Sequence, residues 1–184
     1  MTDLTDGLPD DGVPEVPGLA DTPDVPAFDG AHFRQVLGHL PTGVTVITAA
    51  GADGPVGLAI GSFTSVSLDP PLVAFCPDKR SSSWPKIREV GAFCVNVLGD
   101  DQELVCRTFA SKGADKFTGI GWEPAGSGAP RLAGVLAWID CTIEAVHDAG
   151  DHEICVGRVT EMDVGTGTAG PLVFYRGGYG RFDP

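Results

Sequence analysis

Short apolar segments separated by turn residues make up most of this chain, and this pattern limits the fold more than any other feature of the sequence. Residues 44–48 (VTVIT) are β-branched at every position, a run of turn-forming residues follows, and residues 56–68 form a second, longer segment. Further segments of this kind lie at 72–76, 93–98, 135–147, 154–163 and 172–175. β-Branched segments joined by Gly, Pro and Asp turns predict the strands of an antiparallel sheet.

Three short helices are predicted among these strands. Phe33, Val36, Leu37 and Leu40 recur at the spacing of one helix face, and Pro41 ends that segment. The other two helices are predicted at 81–90 and 102–110, and residues 111–130 are predicted to be a loop. Because strands do not alternate with helices, the pattern favours a mainly β fold over a doubly wound parallel sheet. We expect a closed antiparallel barrel of six or seven strands with a few short peripheral helices.

The negative charge of the chain is concentrated at its N-terminus. The formal net charge is −13, from 12 Lys and Arg against 25 Asp and Glu, and eight of these acids fall in residues 1–30, which contain no Lys or Arg. Low hydrophobicity, repeated proline and one-signed charge predict a disordered acidic tail over residues 1–26, followed by one folded domain over 27–184. This charge disfavours nucleic acid and anionic membranes as main partners.

Common hydrolase, metal and membrane signatures are missing from the sequence. The cysteines at 76, 94, 106, 141 and 155 lack CxxC spacing and mostly lie in apolar runs, so we expect buried, reduced thiols in a cytoplasmic protein. The four histidines have no acidic partners at metal-ligand spacing. No apolar run approaches the roughly 20 residues of a membrane helix, and we expect no secretory signal.

Residues 165–170 (GTGTAG) match the GxGxxG spacing of dinucleotide-binding loops. That motif must open a helix within a βαβ unit, whereas here a proline and a predicted strand follow. We therefore interpret these residues as a surface hairpin loop.

Two other stretches are suited to a flat, phosphorylated ligand. Residues 57–67 combine interior glycines with hydroxyl side chains, so a planar ring can approach the backbone closely. Lys79 and Arg80 precede three serines at a predicted helix start, and residues 112–117 (KGADKF) form a second basic loop. Cations, hydroxyls and the amides of a helix start suit phosphate. The structural alternatives are a polar-faced barrel strand and a well-capped surface helix.

Seven motifs, in register over residues 31–181, give the chain a resemblance to the short-chain flavin reductases, the reductase components of two-component flavin-dependent monooxygenases. The motifs are PTGVTVIT (41–48), GSFTSVSLDPPLVAFC (61–76), SSSWPKI (81–87), FCVNVL (93–98), FASKGADKF (109–117), GDHEICVGRV (150–159) and PLVFYRGGYG (171–180). The resemblance implies a split β-barrel of Greek-key topology that forms a homodimer. It also implies reduction of FMN or FAD by NADH or NADPH, with reduced flavin diffusing to a separate monooxygenase.

The resemblance also implies roles for individual residues. Flavin contacts are implied for Thr42, Gly43, Gly61, Ser62, Phe63, Thr64, Ser65, Ser67, Ser81, Ser82, Ser83, Lys116 and Phe117, and nicotinamide contacts for His152, Tyr175, Arg176 and Tyr179. The three serines would hold phosphate, and Lys116 and Phe117 would close over the flavin. We expect no catalytic side-chain acid or base and no metal, because the chemistry belongs to the two cofactors.

Two other functions remain open from the sequence. One is a non-catalytic flavin carrier or electron-transfer module on the same barrel, which would bind flavin tightly and turn over nicotinamide slowly. The other is a related barrel oxidase acting on a pyridoxine-type substrate. The second is disfavoured because the chain lacks the additional basic residues expected to grip that substrate's phosphate.

Overall fold

The fold is mainly β with three short helices, as the sequence pattern predicts. The computed structural model describes residues 29–113 and 115–182, so the predicted acidic tail over 1–26 lies outside the described residues. The helices are α1 (Gly30–Leu37), α2 (Trp84–Val90) and α3 (Glu103–Ala110). The strands are β1 (Thr42–Gly43), β2 (Thr45–Gly51), β3 (Gly54–Ile60), β4 (Thr64–Leu68), β5 (Pro71–Phe75), β6 (Ala92–Val97), β7 (Trp122–Pro124), β8 (Pro130–Leu132), β9 (Ala137–Ala149), β10 (His152–Val164), β11 (Leu172–Tyr175) and β12 (Gly178–Arg181).

Seven of these strands form one antiparallel sheet in the order β3-β2-β6-β9-β10-β5-β4. The two end strands, β3 and β4, are joined by only three residues, 61–63. Since such a link spans at most roughly 14 Å, the sheet must curl until its two edges approach each other. The edges are not paired by hydrogen bonds within the described residues, so a closed barrel is not confirmed and stays a prediction.

Two apolar clusters lie on the two faces of the curled sheet. Ile47, Phe75 and Phe93 are fully buried in one cluster, which α2 covers with Trp84. The other cluster lies under α3 and includes Val46. Neighbouring residues of β2 thus enter different clusters, because successive side chains of a strand point to opposite faces. This explains why residues 44–48 are apolar or β-branched without alternation.

The structure corrects three predicted elements. The predicted strand over residues 56–68 is divided at 61–63, where the Ser62 hydroxyl binds the backbone of Cys76, accepting from its amide at 2.9 Å and donating to its carbonyl. The predicted loop over 111–130 contains β7 and the start of β8, which pair as a hairpin. The first helix ends at Leu37, three residues early, because the next amides, of His39 and Leu40, donate to the carbonyl oxygens three residues back, of Val36 and Leu37, and leave the α-helical pattern.

The prediction of buried cysteines is confirmed for four of the five, whereas the interpretation of residues 165–170 is wrong in part. Four of the five cysteines are buried, all five are free thiols, and burial raises the pKa of Cys94 to about 12. Residues 165–170 form a loop, but its flanking strands β10 and β11 belong to different sheets, so it is not a hairpin. Its glycines allow close contact, since a Cβ at Gly165 would lie 1.8 Å from the Val135 carbonyl oxygen.

Candidate active site

A cleft of about 920 Å³ opens where β3 ends and the sheet edges approach, and we call it the main cleft. Its walls are formed by residues 58–62, by the segment 78–83 that leads into α2, and by residues 109–112 at the end of α3. It brings together seven of the residues predicted from the sequence, namely Gly61, Ser62, Ser81, Ser82, Ser83, Lys116 and His152. The main cleft therefore brings together three features: the glycine-containing wall at Gly61, the serines 81–83, which we call the hydroxyl cluster, and the turn next to His152.

The three serines differ in what their hydroxyl groups do. The Ser81 hydroxyl accepts hydrogen bonds from the amides of Ser83, at 3.3 Å, and Trp84, at 3.2 Å, and so caps the start of α2. Ser83 is buried, and its hydroxyl lies 3.5 Å from Lys116 Nζ. Ser82 is exposed to the cleft. The segment is therefore held rigidly at its two ends, with the Ser82 hydroxyl presented between them.

Lys116 is a buried cation in the wall of the main cleft, with only 7% of its surface exposed. Its Nζ donates to the carbonyl oxygens of Phe109, at 2.8 Å, and Gly57, at 3.2 Å. These acceptors are neutral, and burial lowers the pKa of Lys116 because it removes water from the charged form. The lysine therefore ties β3 to the end of α3 and also places an uncompensated positive charge beside the hydroxyl cluster.

A further part of the cleft wall is the turn between β9 and β10, beside residues 78–83. Nδ1 of His152 lies 2.7 Å from Asp151 Oδ1, and His152 forms an isolated antiparallel bridge with Asp78. Arg80 bonds the Asp78 side chain and lowers its pKa to about 2. Lys79 Nζ donates to Asp148 at 2.8 Å and to the Gly150 carbonyl at 2.6 Å. These contacts fix the position of the histidine relative to residues 78–83.

The remaining residues predicted for flavin do not line the main cleft within one chain. Thr42 is adjacent to it, since a Cβ on Gly61 would lie 3.2 Å from Thr42 Oγ1. Phe63 packs against the core, and Phe117 stacks edge-on against Phe109 at 5.0 Å. The others lie on β1 and on β4, which is an end strand of the sheet: Gly43, Thr64, Ser65 and Ser67.

Three residues predicted for nicotinamide lie on or beside the β11–β12 hairpin, away from His152. Tyr175 is 44% exposed and contacts His39 edge-on. Arg176 lines a groove beneath α1. Tyr179 is packed between Cys106, whose thiol donates to its hydroxyl at 3.3 Å, and the guanidinium of Arg107. Burial raises the pKa of Tyr179 to about 12. One chain alone does not place these three side chains in the main cleft.

Several lining residues were not identified from the sequence. Cys76, Asp78, Ala110 and Ser111 contribute to the cleft wall, but their residue types carry no distinctive pattern. Lys112 also lines it, and the basic loop KGADKF was the signal that pointed there. The described residues contain no cluster of metal-ligating side chains. Among them, no helix has the length and hydropathy needed to cross a membrane.

Comparison with known proteins finds similar chains over most of the sequence. The family model described as flavin reductase like domain matches residues 37–183. A flavin reductase from Pseudomonas putida is 55% identical over 157 residues, which cover 85% of this chain and 92% of that protein. The reductase subunit HsaB of a flavin-dependent monooxygenase from Rhodococcus jostii is 49% identical, over 86% of this chain and 80% of that protein.

Solved structures give the same relationship. Nitrilotriacetate monooxygenase component B from Mycobacterium thermoresistibile is similar with a TM-score of 0.81 and 48% identity, over 84% of this chain and 87% of that one. The NADH:FAD oxidoreductase SgcE6 of Streptomyces globisporus, in complex with NAD and FAD fragments, is similar with a TM-score of 0.80 and 38% identity, over 85% of this chain and 94% of that one.

Proposed function

The chain belongs to the flavin reductase like domain family, and on that premise we propose that it reduces a flavin with NADH or NADPH and supplies the reduced flavin to a separate monooxygenase. The observation that carries the proposal is the main cleft, where a buried, uncompensated Lys116 and the Ser82 hydroxyl lie beside the wall at Gly61. The names of HsaB and of component B, both parts of two-component monooxygenases, support transfer to a separate oxygenase.

The residues of the main cleft fit a phosphorylated tricyclic ring. A volume of about 920 Å³ lies within the roughly 300–1,000 Å³ typical of small-molecule sites. Gly61 has no side chain at the wall, and the Ser62 hydroxyl is bound to the backbone of Cys76. Backbone groups of residues 59–62 are therefore the proposed contacts for the ring. Ser82 is proposed to donate a hydrogen bond to the phosphate. The buried charge of Lys116, whose N–H groups already bind Gly57, Phe109 and Ser83, is proposed to attract the phosphate at short range.

The chain acts by positioning. When both ligands are bound, the nicotinamide gives a hydride to the flavin, with a proton from solvent, to yield oxidised nicotinamide and reduced flavin. His152 is proposed to hold the nicotinamide, because it lines the main cleft and its ring is bonded to Asp151. When the protein holds the two rings in a reactive arrangement, they no longer have to meet by chance in solution. This positioning supplies much of the acceleration of the hydride transfer. We assign no side chain as acid or base.

We propose further that the protein works as a cytoplasmic homodimer. The apolar face of α1, which contains Phe33, Val36 and Leu37, is more than half exposed in one chain. Burying that face against a second copy is supported by the hydrophobic effect. Tyr175 and Arg176 lie beside the groove under α1, so any contact they make with nicotinamide would come from the second copy. Light scattering of the purified protein tests the dimer, and a monomer would contradict it.

Steady-state kinetics test the proposed activity. Purified protein is mixed with excess flavin and NADH, and the loss of NADH absorbance is followed; many turnovers per chain support the reductase. A yellow protein with negligible turnover would instead indicate a flavin carrier. For His152→Ala we expect a raised KM for the nicotinamide with little change in the KM for flavin. Unaltered KM and kcat would contradict the placement of His152.

A further inference from the structure

A second, smaller cavity lies behind the hydroxyl cluster and is surrounded by lysines. It has a volume of about 300 Å³ and shares Ser82, Ser83, Lys112 and Lys116 with the main cleft. Lys86, on the exposed side of α2, completes its rim. We call this cavity, defined by Lys86, Lys112 and Lys116, the lysine annexe. The shared residues make it continuous with the proposed phosphate position.

The lysines of the annexe differ from most other cations of the protein. Among residues 29–113 and 115–182, six Lys and Arg side chains form ion pairs: Lys79 with Asp148, Arg80 with Asp78, Arg88 with Glu153, Arg107 with Glu103, Arg131 with Glu123 and Arg158 with Glu144. Within the described residues, none of the three annexe lysines has a carboxylate partner, and no acidic side chain lines the cavity. In a chain with a net charge of −13, three unpaired cations around one cavity indicate an anionic ligand.

The acid nearest in sequence does not neutralise these lysines. The carboxylate of Asp115 accepts hydrogen bonds from the amides of Phe117, at 3.2 Å, and Thr118, at 3.1 Å, and from the Thr118 hydroxyl. These bonds lower the pKa of Asp115 and turn its charge into its own loop. Three like charges that share a small cavity repel one another, and burial of Lys116 adds to that cost. A bound anion with two or more negative charges would offset both the repulsion among the three lysines and the cost of burying the Lys116 charge.

We propose that the lysine annexe binds the second phosphate of a flavin dinucleotide, so that this reductase uses FAD in preference to FMN. The inference rests on the proposed function and adds the choice of flavin. FMN ends in a single phosphate, which the Ser82 end of the main cleft accommodates. FAD continues through a pyrophosphate, and Ser82 and Ser83, which line both cavities, mark the path between them. Pro55 and Phe117 give the annexe an apolar side against which an adenine ring can pack.

Separate kinetics with FAD and with FMN test this assignment. The wild type is compared with Lys86→Gln, at a residue that lines the annexe and not the main cleft, and with Arg158→Gln, which removes one cation of the Arg158–Glu144 pair outside both cavities. We expect the wild-type KM for FAD to be about tenfold or more below that for FMN, since a charge-assisted phosphate contact is worth that much. Lys86→Gln should raise the KM for FAD about tenfold and change the KM for FMN less than about twofold. Arg158→Gln should change neither.

Direct binding separates the possible failures. Quenching of flavin fluorescence gives the Kd of FAD and of FMN without turnover, and thermal unfolding shows that each variant is folded. Equal Kd values for FAD and FMN in the wild type, or a parallel rise of both in Lys86→Gln, would overturn the assignment and leave the reductase activity standing. No NADH oxidation with either flavin would refute the proposed function itself.

Discussion

Glu153 is the side chain through which the turn that carries His152 is fastened to α2. Its Oε2 accepts from the Trp84 indole Nε1 at 2.5 Å, and its Oε1 accepts from the Arg88 guanidinium at 2.7 Å. Its backbone amide donates to the Pro77 carbonyl at 3.1 Å, next to the segment that forms the cleft wall. We predict that Glu153→Ala destabilises the protein and loosens the position of His152 relative to the hydroxyl cluster.

The magnitude follows from the two partners. The Trp84 side chain is only 2% exposed, so its N–H cannot exchange Glu153 for water, and an unsatisfied buried donor costs about 1–3 kcal/mol. The Arg88 side chain is 54% exposed, so loss of its ion pair adds at most about 1 kcal/mol. We therefore expect Glu153→Ala to cost about 2 kcal/mol, mainly through Trp84, and to lower Tm by about 4–8 °C. Glu153→Gln retains an acceptor for the indole and should lose less than about 1 kcal/mol.

Thermal and denaturant unfolding of Glu153→Ala and Glu153→Gln measure these losses of stability. The KM of each variant for NADH reports whether His152 has moved. The matched control is Glu144→Ala, which breaks the ion pair between Glu144 and Arg158. Both side chains of that pair are about 40% exposed, so its loss should cost less than about 1 kcal/mol. A Trp84→Phe background removes the donor, so the cost of Glu153→Ala should shrink there. Equal losses for the Gln and Ala variants, or an unchanged cost in the Trp84→Phe background, would refute the reasoning.

Two further predictions concern the core and the acid limb of stability. Gly157→Ala places a Cβ 2.4 Å from the fully buried Phe93 ring and should cost about 1–3 kcal/mol in chemical denaturation; Gly180→Ala, with open space around its Cβ, is the control, and equal stabilities would contradict the packing argument. Arg80 lowers the pKa of Asp78 from 3.8 to about 2, so the stabilisation is present above 3.8 and is lost as the pH falls toward 2. Asp78→Asn should therefore flatten the fall of Tm across that window, and an unchanged slope would contradict this.

The elements that could be predicted from the sequence are those marked by their own apolar residues and by the turn residues next to them. Residues 172–175 correspond to β11, and the helix predicted from Ser81 to a stop at Gly91 is confirmed by α2, whose end has Gly91 at a φ of 74°. The division between β3 and β4 was missed because Gly61 was interpreted as a bend or close approach within one continuous strand. It depends on the bond between Ser62 and Cys76, residues that meet only after the sheet has curled. The β7–β8 hairpin, which begins within residues 111–130, could not be predicted either. Its strands are only three residues long, too short to show an alternating apolar pattern.

Lys116 shows the same distinction within the site. The loop KGADKF was identified from the sequence as a basic stretch next to an aromatic ring, and the structure places Lys116 in the wall of the main cleft. Its bonds to the carbonyl oxygens of Gly57 and Phe109 could not be predicted, because they require Phe109 to pack on the bare backbone of Gly57, where a Cβ would lie 2.6 Å from the ring. That glycine, the ring and the lysine therefore form one unit. This unit holds the Lys116 ammonium at one position, between the main cleft and the annexe. A lysine on a mobile loop could instead move to meet a phosphate at many positions.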